Sequence, residues 1–134
     1  MATFQVLEDI AAWHKARELT QHIYRVSAYG AFVKDFGLRD QIRRASVSVM
    51  ANIAEGFERS GTGEFLQFLA MAKGSTGEVR AHLYVALDLG YVSPETFKQL
   101  LALAAEIARL IASLMRYLRD SKIKGTKYKH AALV

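Results

Sequence analysis

The sequence predicts an all-α protein, an antiparallel up-down-up-down four-helix bundle, and three observations predict it. A single proline interrupts 134 residues, less punctuation than sheet proteins carry. Four segments place apolar residues three or four apart, the period of a helix buried along one side. Short turns join most of these segments, as antiparallel neighbours require.

The first segment runs from about Asp9 to Tyr29, with Ile10, Trp13, Arg17, Thr20, Tyr24 and Ser27 in helical register and Ile23 thickening the stripe. The Asp9 carboxylate reads as its N-cap, meeting free backbone N–H groups. Gly30 ends it, and residues 30–37 form a connection bracketed by Gly30 and Gly37. A second helix spans about Leu38 to Phe57, striped by Ile42, Ala45, Val49 and Ile53 and widened by Val47 and Ala54. Gly56 and the Ser60-Gly61-Thr62-Gly63 cluster stop it, since glycine reaches the left-handed C-cap conformation without steric penalty.

The third helix starts after Thr62, read as its N-cap, with Glu64 in the positive first turn. Phe65, Phe68, Leu69, Ala72, Val79, Leu83, Ala86 and Leu87 keep its period to Gly90. Within it, each glycine of Gly74-Ser75-Thr76-Gly77 costs roughly 1 kcal/mol against alanine. That cost is tolerable where another backbone comes close, and the stripe on both sides argues against a break into two helices. Ser93-Pro94-Glu95-Thr96 is the clearest start: N-cap serine, proline at the first helical position, then an acid. The fourth helix runs to about Ser121 with two adjacent stripes, Phe97-Leu101-Ala104-Ala108-Ile111-Met115-Leu118 and Leu100-Leu103-Ile107-Leu110-Leu114. An arc that wide exceeds one bundle seam and predicts that another copy covers the surplus.

One domain is expected at this length: a bundle over residues 1–121 and a basic, flexible C-terminal tail over 122–134. With no cysteine in the chain, Cys₂His₂ sites, iron–sulfur ligation and thiol nucleophiles are excluded, and a reducing cytoplasm fits. Met1 to Glu8 lacks signal-peptide architecture. Leu100 to Met115 is interrupted by Glu106 and Arg109, so it reads as a buried soluble helix and not a membrane span. The net charge of +5 is segregated: Arg116, Arg119, Lys122, Lys124, Lys127 and Lys129 stand against Asp120 alone, six minus one, which leaves residues 1–115 neutral. Such a tail suits phosphate groups, although a solvated, frayed terminus explains it equally well.

Gln41, Arg43, Arg44, Ser46, Ser48, Asn52 and Glu55 crowd the second helix beside its apolar stripe. Ser48, Asn52 and Glu55 read as a partly buried network reaching Ser75 or Glu78, of the kind that fixes register. Glu18/His22 and Glu78/His82 are four apart, whereas a di-iron bundle needs Glu-x-x-His at three plus further glutamates; helix-surface pairs explain both, and no metal or cofactor is expected. Gly61-Thr62-Gly63 is too short for a phosphate loop and lacks the following Lys-Ser/Thr. No nucleophile has a nearby base. The basic residues Arg43, Arg44 and Arg59, with the tail, carry the functional signal, and Tyr117 and Tyr128 among the tail charges would suit stacking on single-stranded bases. In an oligomer every subunit repeats those contacts.

At the level of motifs the chain resembles a known family. Trp13-His14-Lys15-Ala16 with Glu18-Leu19 is similar to its first-helix signature. Phe36-Gly37-Leu38, Gln41-Ile42-Arg43-Arg44-Ala45, Val47-Ser48-Val49 and Asn52-Ile53-Ala54-Glu55-Gly56 are similar to its second-helix block. Glu64-Phe65, Phe68-Leu69, Ala72-Lys73-Gly74-Ser75, Glu78 and Leu89-Gly90-Tyr91 match its third. The family comprises the four-helix-bundle proteins encoded in intervening sequences of bacterial large-subunit ribosomal RNA genes, historically labelled ribosomal. Accessory variability proteins of diversity-generating retroelements are more distantly similar. The resemblance covers residues 4 to 118 and implies a ring, commonly a pentamer, with a positive surface suggested to bind nucleic acid and no catalytic residues. Members often carry proline where Met50 stands, so a family kink in the second helix is absent on this reading.

The expectation is therefore a non-enzymatic homo-oligomer that binds RNA or DNA through Arg43, Arg44, Arg59, Arg116, Arg119, Lys122, Lys124, Lys127 and Lys129. Some of these arginines could instead serve subunit contacts. Two rival classes remain open: a scaffold for an acidic or nucleic-acid-processing protein, and, last, a metal-dependent bundle enzyme using His22 or His82.

Overall fold

A computed structural model describes residues 4–123 of the chain. A short 3-10 turn (Leu7–Asp9) leads into α1 (Ala11–Val26), followed by α2 (Gly30–Lys34), α3 (Phe36–Glu58), α4 (Thr62–Asp88) and α5 (Pro94–Ile123). Four long helices pack side by side around one core, α3 on α4, α4 on α5, and α1 on both α3 and α5. The predicted all-α bundle is therefore the fold, with one further short helix.

Boundaries differ from the sequence reading where local chemistry was misassigned. Asp9 does cap, but it caps the 3-10 turn: its Oδ2 accepts from the backbone N–H of Gln5 at 2.8 Å and of Val6 at 3.2 Å. These two bonds hold its carboxyl below the usual range, while the N-cap of α1 is Ile10, without a side-chain bond. α1 ends at Val26, not near Tyr29. Gly30, at φ +60°, then opens α2 inside what read as a plain connection. The cap of α3 is Asp35, whose Oδ1 accepts from Leu38 N–H at 3.1 Å, so α3 starts two residues before the predicted Leu38 and runs unbroken through Met50. Thr62 is not an N-cap either. Gly61 holds that position, and Thr62 is the first helical residue, its buried Oγ1 without a hydrogen-bond partner among the described residues.

The ends of α4 and α5 follow the expected chemistry. At Gly90 (φ +74°) α4 closes in a Schellman turn, with Gly90 N–H donating to Leu87 O at 3.0 Å and Tyr91 N–H to Ala86 O at 2.8 Å. Ser93 Oγ then accepts from Thr96 N–H at 3.1 Å to start α5, which reaches Ile123, two residues past the predicted end.

The core faces of α3 and α4 are the predicted stripes, except that Val47 is 40% exposed and widens nothing. On α1 the expected Ile10, Ile23 and Ser27 are buried, but the rest of the core face is Ala12, Ala16 and Leu19, about a quarter-turn from the predicted stripe, and Arg17 and Tyr24 are exposed. Alanines carry little apolar surface and so mark a stripe weakly, yet they let α1 lie close to its neighbours. On α5, both stripes supply the core: Ala104, Ile111 and Leu118 from one and Leu100 and Ile107 from the other are buried. Two neighbours, α1 and α4, occupy the wide arc, so its width does not require a second copy.

The glycines also exchange roles. Gly56 does not end the helix; it lies within α3 against α4, where a Cβ would come within 2.7 Å of Phe68 Cβ and 2.8 Å of Phe65 Cδ1. Gly74 and Gly77 were expected at a close approach, but nothing lies within 4 Å of an added Cβ at either. Gly56→Ala should destabilise by about 1–3 kcal/mol through overpacking within the subunit, read as a lower midpoint in urea denaturation.

A hydrogen bond of 2.9 Å from Tyr91 Oη to Asp35 Oδ2, with Tyr91 stacked on Phe32 at 5.2 Å, ties the α4–α5 turn to α2 and the start of α3. That bond, helped by desolvation and the Asp35 charge, raises the Tyr91 phenol above its ordinary value. The stability it adds is fully present below about pH 10 and is lost as pH rises through the folded value. In an ultraviolet titration, Tyr91→Phe should remove a tyrosine that ionises above the ordinary range and lessen alkaline destabilisation.

Candidate nucleic-acid interface

The expected basic residues do not share one environment. Arg43 turns inward from α3: Nε donates to Ser27 Oγ at 2.8 Å and Nη2 to Tyr24 O at 3.4 Å, with the guanidinium 4.6 Å from the Tyr24 ring centre. It satisfies the carbonyl end of α1, where a cation also meets the negative end of the helix dipole. Arg59 bridges the α3–α4 turn, at 2.7 Å from Glu55 Oε2 and 3.2 Å from Glu64 Oε2, and lies 5.0 Å from the Phe68 ring centre. The side-chain bond to Glu55 leads in raising its pKa, and two carboxylates offset its charge toward phosphate. Both arginines thus have structural tasks that spacing alone did not reveal.

Arg44, Arg116 and Arg119 are exposed and make no hydrogen bond or ion pair among the described residues. Lys122 lies in the last turn of α5; Lys124, Lys127, Lys129 and Tyr128 lie outside the described residues. Because α3 and α5 both begin at the same end of the bundle, Arg44 sits near that end and Arg116 and Arg119 near the other. At 1.5 Å per residue the axial separation is on the order of 20 Å. Tyr117 is no stacking platform: it is half-buried, its ring edge-on to Phe4 at 6.2 Å.

The polar network on α3 is present in part. Ser48 Oγ and Ser75 Oγ are 2.9 Å apart across the α3–α4 interface, and Asn52 Nδ2 donates to Ser48 O at 2.9 Å and Ser48 Oγ at 3.0 Å. Glu55 leaves this network for Arg59. Beside it opens a groove of about 700 Å³ lined by Phe36, Gly37, Asp40, Gln41, Arg44, Ala45, Ser48 and Glu78. Arg44 and Glu78 face the same groove without pairing. A second, mostly apolar groove of about 340 Å³ runs between Phe4, Ile10 and Ala12 and the α5 residues Leu110, Leu114 and Tyr117. No group of three His, Asp or Glu side chains able to hold a metal ion occurs among the described residues. Nor is any helix there long and apolar enough to cross a membrane.

Sequence reasoning missed the exposed rings. Tyr29 (73% exposed), Phe36 (65%) and Tyr24 (43%) crowd the α1–α2–α3 corner. Spacing alone puts Tyr24 in the core stripe and gives Phe36 no role beyond its motif. The signal was available in Tyr29 and Phe36, which fall outside every apolar stripe.

A four-helix bundle with unpaired exposed arginines among its described residues defines a class of small helical proteins. Within that class the chain belongs to the 23S rRNA-intervening sequence protein family, whose sequence profile matches residues 8–113. It is similar in structure to a protein of unknown function of the S23 ribosomal protein family from Bacteroides thetaiotaomicron. The TM-score is 0.72 at 23% identity over 78% of this chain and 98% of that one, a likeness of fold. Among curated proteins, none matches.

The division between bound and free arginines is testable. Arg43→Ala should destabilise by roughly 1–3 kcal/mol, the size of a lost charge-assisted hydrogen bond, while Arg44→Ala should stay within about 0.5 kcal/mol of the parent, both by thermal or urea unfolding.

Proposed function

We propose that the chain is a non-enzymatic, cytoplasmic, self-associating bundle that binds nucleic acid through its basic surface. The outward side of α4 carries the self-association. Gln67, Ala70, Gly74, Gly77 and Ala81 recur at alternating spacings of three and four and are all exposed. Lys73 and Arg80 flank this row on one side and Glu64 and Glu78 on the other, with exposed Met71, Tyr84 and Val85 beside them. A smooth seam edged by opposite charges is the pattern that lets one helix pair closely with another. It also offsets the helix-propensity cost of the two glycines, which no contact within the subunit explains. Membership of the family supports assembly into a ring.

Arg44, Arg116 and Arg119, with the lysines from 122 onward, supply phosphate contacts. Each subunit of an assembly repeats them, so weak contacts combine into usable affinity. A protein partner is the second reading, favoured by the apolar groove beside Leu110 and Leu114; capture that survives nuclease treatment would support it.

Light scattering after size exclusion should give a mass several times 15.0 kDa, and Gly77→Arg should return the protein to monomers with its helix content intact. Titrations with nucleic acid at two salt concentrations should weaken steeply with salt. A monomeric parent removes self-association, and an absence of salt-dependent binding removes the nucleic-acid half.

A further inference from the structure

The overall charge balance of residues 1–115 hides a local excess. Between residues 23 and 49 stand Arg25, Lys34, Arg39, Arg43 and Arg44 against Asp35 and Asp40, five minus two, or +3. Both acids are occupied: Asp40 Oδ1 lies 2.9 Å from Arg39 Nε, and Asp35 holds Leu38 N–H and the Tyr91 hydroxyl. Arg25, Lys34 and Arg44 are exposed and unpaired among the described residues.

The same corner concentrates aromatic surface. Four aromatic residues are exposed among those described, and Tyr24, Tyr29 and Phe36 are three of them, within thirteen residues of chain. Guanidinium groups hold two of these rings, Arg43 at 4.6 Å from the Tyr24 centre and Arg39 at 4.8 Å from the Phe36 centre. A ring braced by a cation on one side and open on the other is fixed in orientation before anything binds. Tyr29 has no ring or cation partner among the described residues.

We infer that this α1–α2–α3 corner is a binding site for single-stranded nucleic acid. Bases stack on Phe36 and Tyr29, and the backbone phosphates follow Arg25, Lys34 and Arg44. Exposed rings beside unpaired cations provide the two elements that single-strand recognition needs, a π-face for each base and a positive track for the backbone. A duplex keeps its bases stacked on one another and cannot use the rings. Phe36 also walls the groove that holds Gln41 and Glu78. A Glu78 carboxylate there can accept from an exocyclic amino group, while Arg44 on the same groove meets the adjoining phosphate. The inference rests on the proposed nucleic-acid binding and assigns it to the end of the bundle opposite Arg116 and Arg119.

Fluorescence anisotropy with a labelled 20-nucleotide single strand and its duplex tests the assignment, using the full chain. The single strand should bind more tightly. Tyr29→Ala with Phe36→Ala should weaken it roughly 10- to 100-fold, leaving the slope against log salt unchanged, and Phe36→Tyr should retain binding. Arg25→Ala with Arg44→Ala should lessen the slope by about 0.7 for each phosphate lost, while Arg116→Ala with Arg119→Ala should have a smaller effect on affinity. Every replaced side chain is exposed, and circular dichroism verifies that each variant folds. Unchanged single-strand affinity in the Tyr29/Phe36 variant overturns the site while leaving nucleic-acid binding standing. Absence of binding by the parent protein overturns both.

Discussion

Residue 56 has no side chain because α4 occupies the place where one would be. Phe65 and Phe68 stand so close to Gly56 that a Cβ there would meet them at 2.8 and 2.7 Å. That contact sets how near α3 and α4 lie at their joined end. Eight residues back along α3, Ser48 meets Ser75 at 2.9 Å with Asn52 closing the set, and this fixes their register. A steric contact at one end and a hydrogen-bonded step along the seam leave α3 and α4 one way to pair. α1 and α5 then pack against a hairpin whose geometry is already determined.

This frame decides which cations are available to a partner. Arg59 closes the α3–α4 turn by joining Glu55 and Glu64, and Arg43 joins α3 to the carbonyl end of α1. Arg44, beside Arg43 on α3, and Arg116 and Arg119 on α5 are instead exposed to solvent. The difference is one of angle about a helix axis, since successive residues turn by about 100°. Arg43 and Arg44 therefore take different tasks despite being adjacent, one held within the subunit and the other free. Among the described residues the two ends of the bundle also differ in kind, one carrying exposed rings among cations and the other Arg116 and Arg119 without an exposed ring.

Much of the architecture was legible in the sequence. The Ser93-Pro94 start, the Gly90 stop and the stripes of α3 and α4 rest on local geometry that side-chain chemistry dictates. Ser48, Asn52 and Ser75 were legible as well, because small polar residues beside an apolar stripe need partners. Other features depended on what lies across the interface. Gly56 looks like a helix end until Phe65 and Phe68 are in place, and Gly74 and Gly77 look buried until α4 is seen to turn them outward. Ala12 and Ala16 gave too little apolar signal to mark the core face of α1. For the candidate site, residue type identified cations, but only the fold separated those held within the subunit from those left free. The rings at Tyr29 and Phe36 acquire meaning only once the corner that exposes them is built.

Native-state hydrogen exchange tests the primacy of the α3–α4 pairing most directly. Backbone amides of Ile42–Ile53 in α3 and Leu69–Leu83 in α4 should exchange only through global unfolding and share its free energy, with α2 and the ends of α1 and α5 opening earlier. If α3 and α4 instead exchanged through local opening while α1 and α5 stayed protected, the hairpin would not be the frame on which the bundle depends.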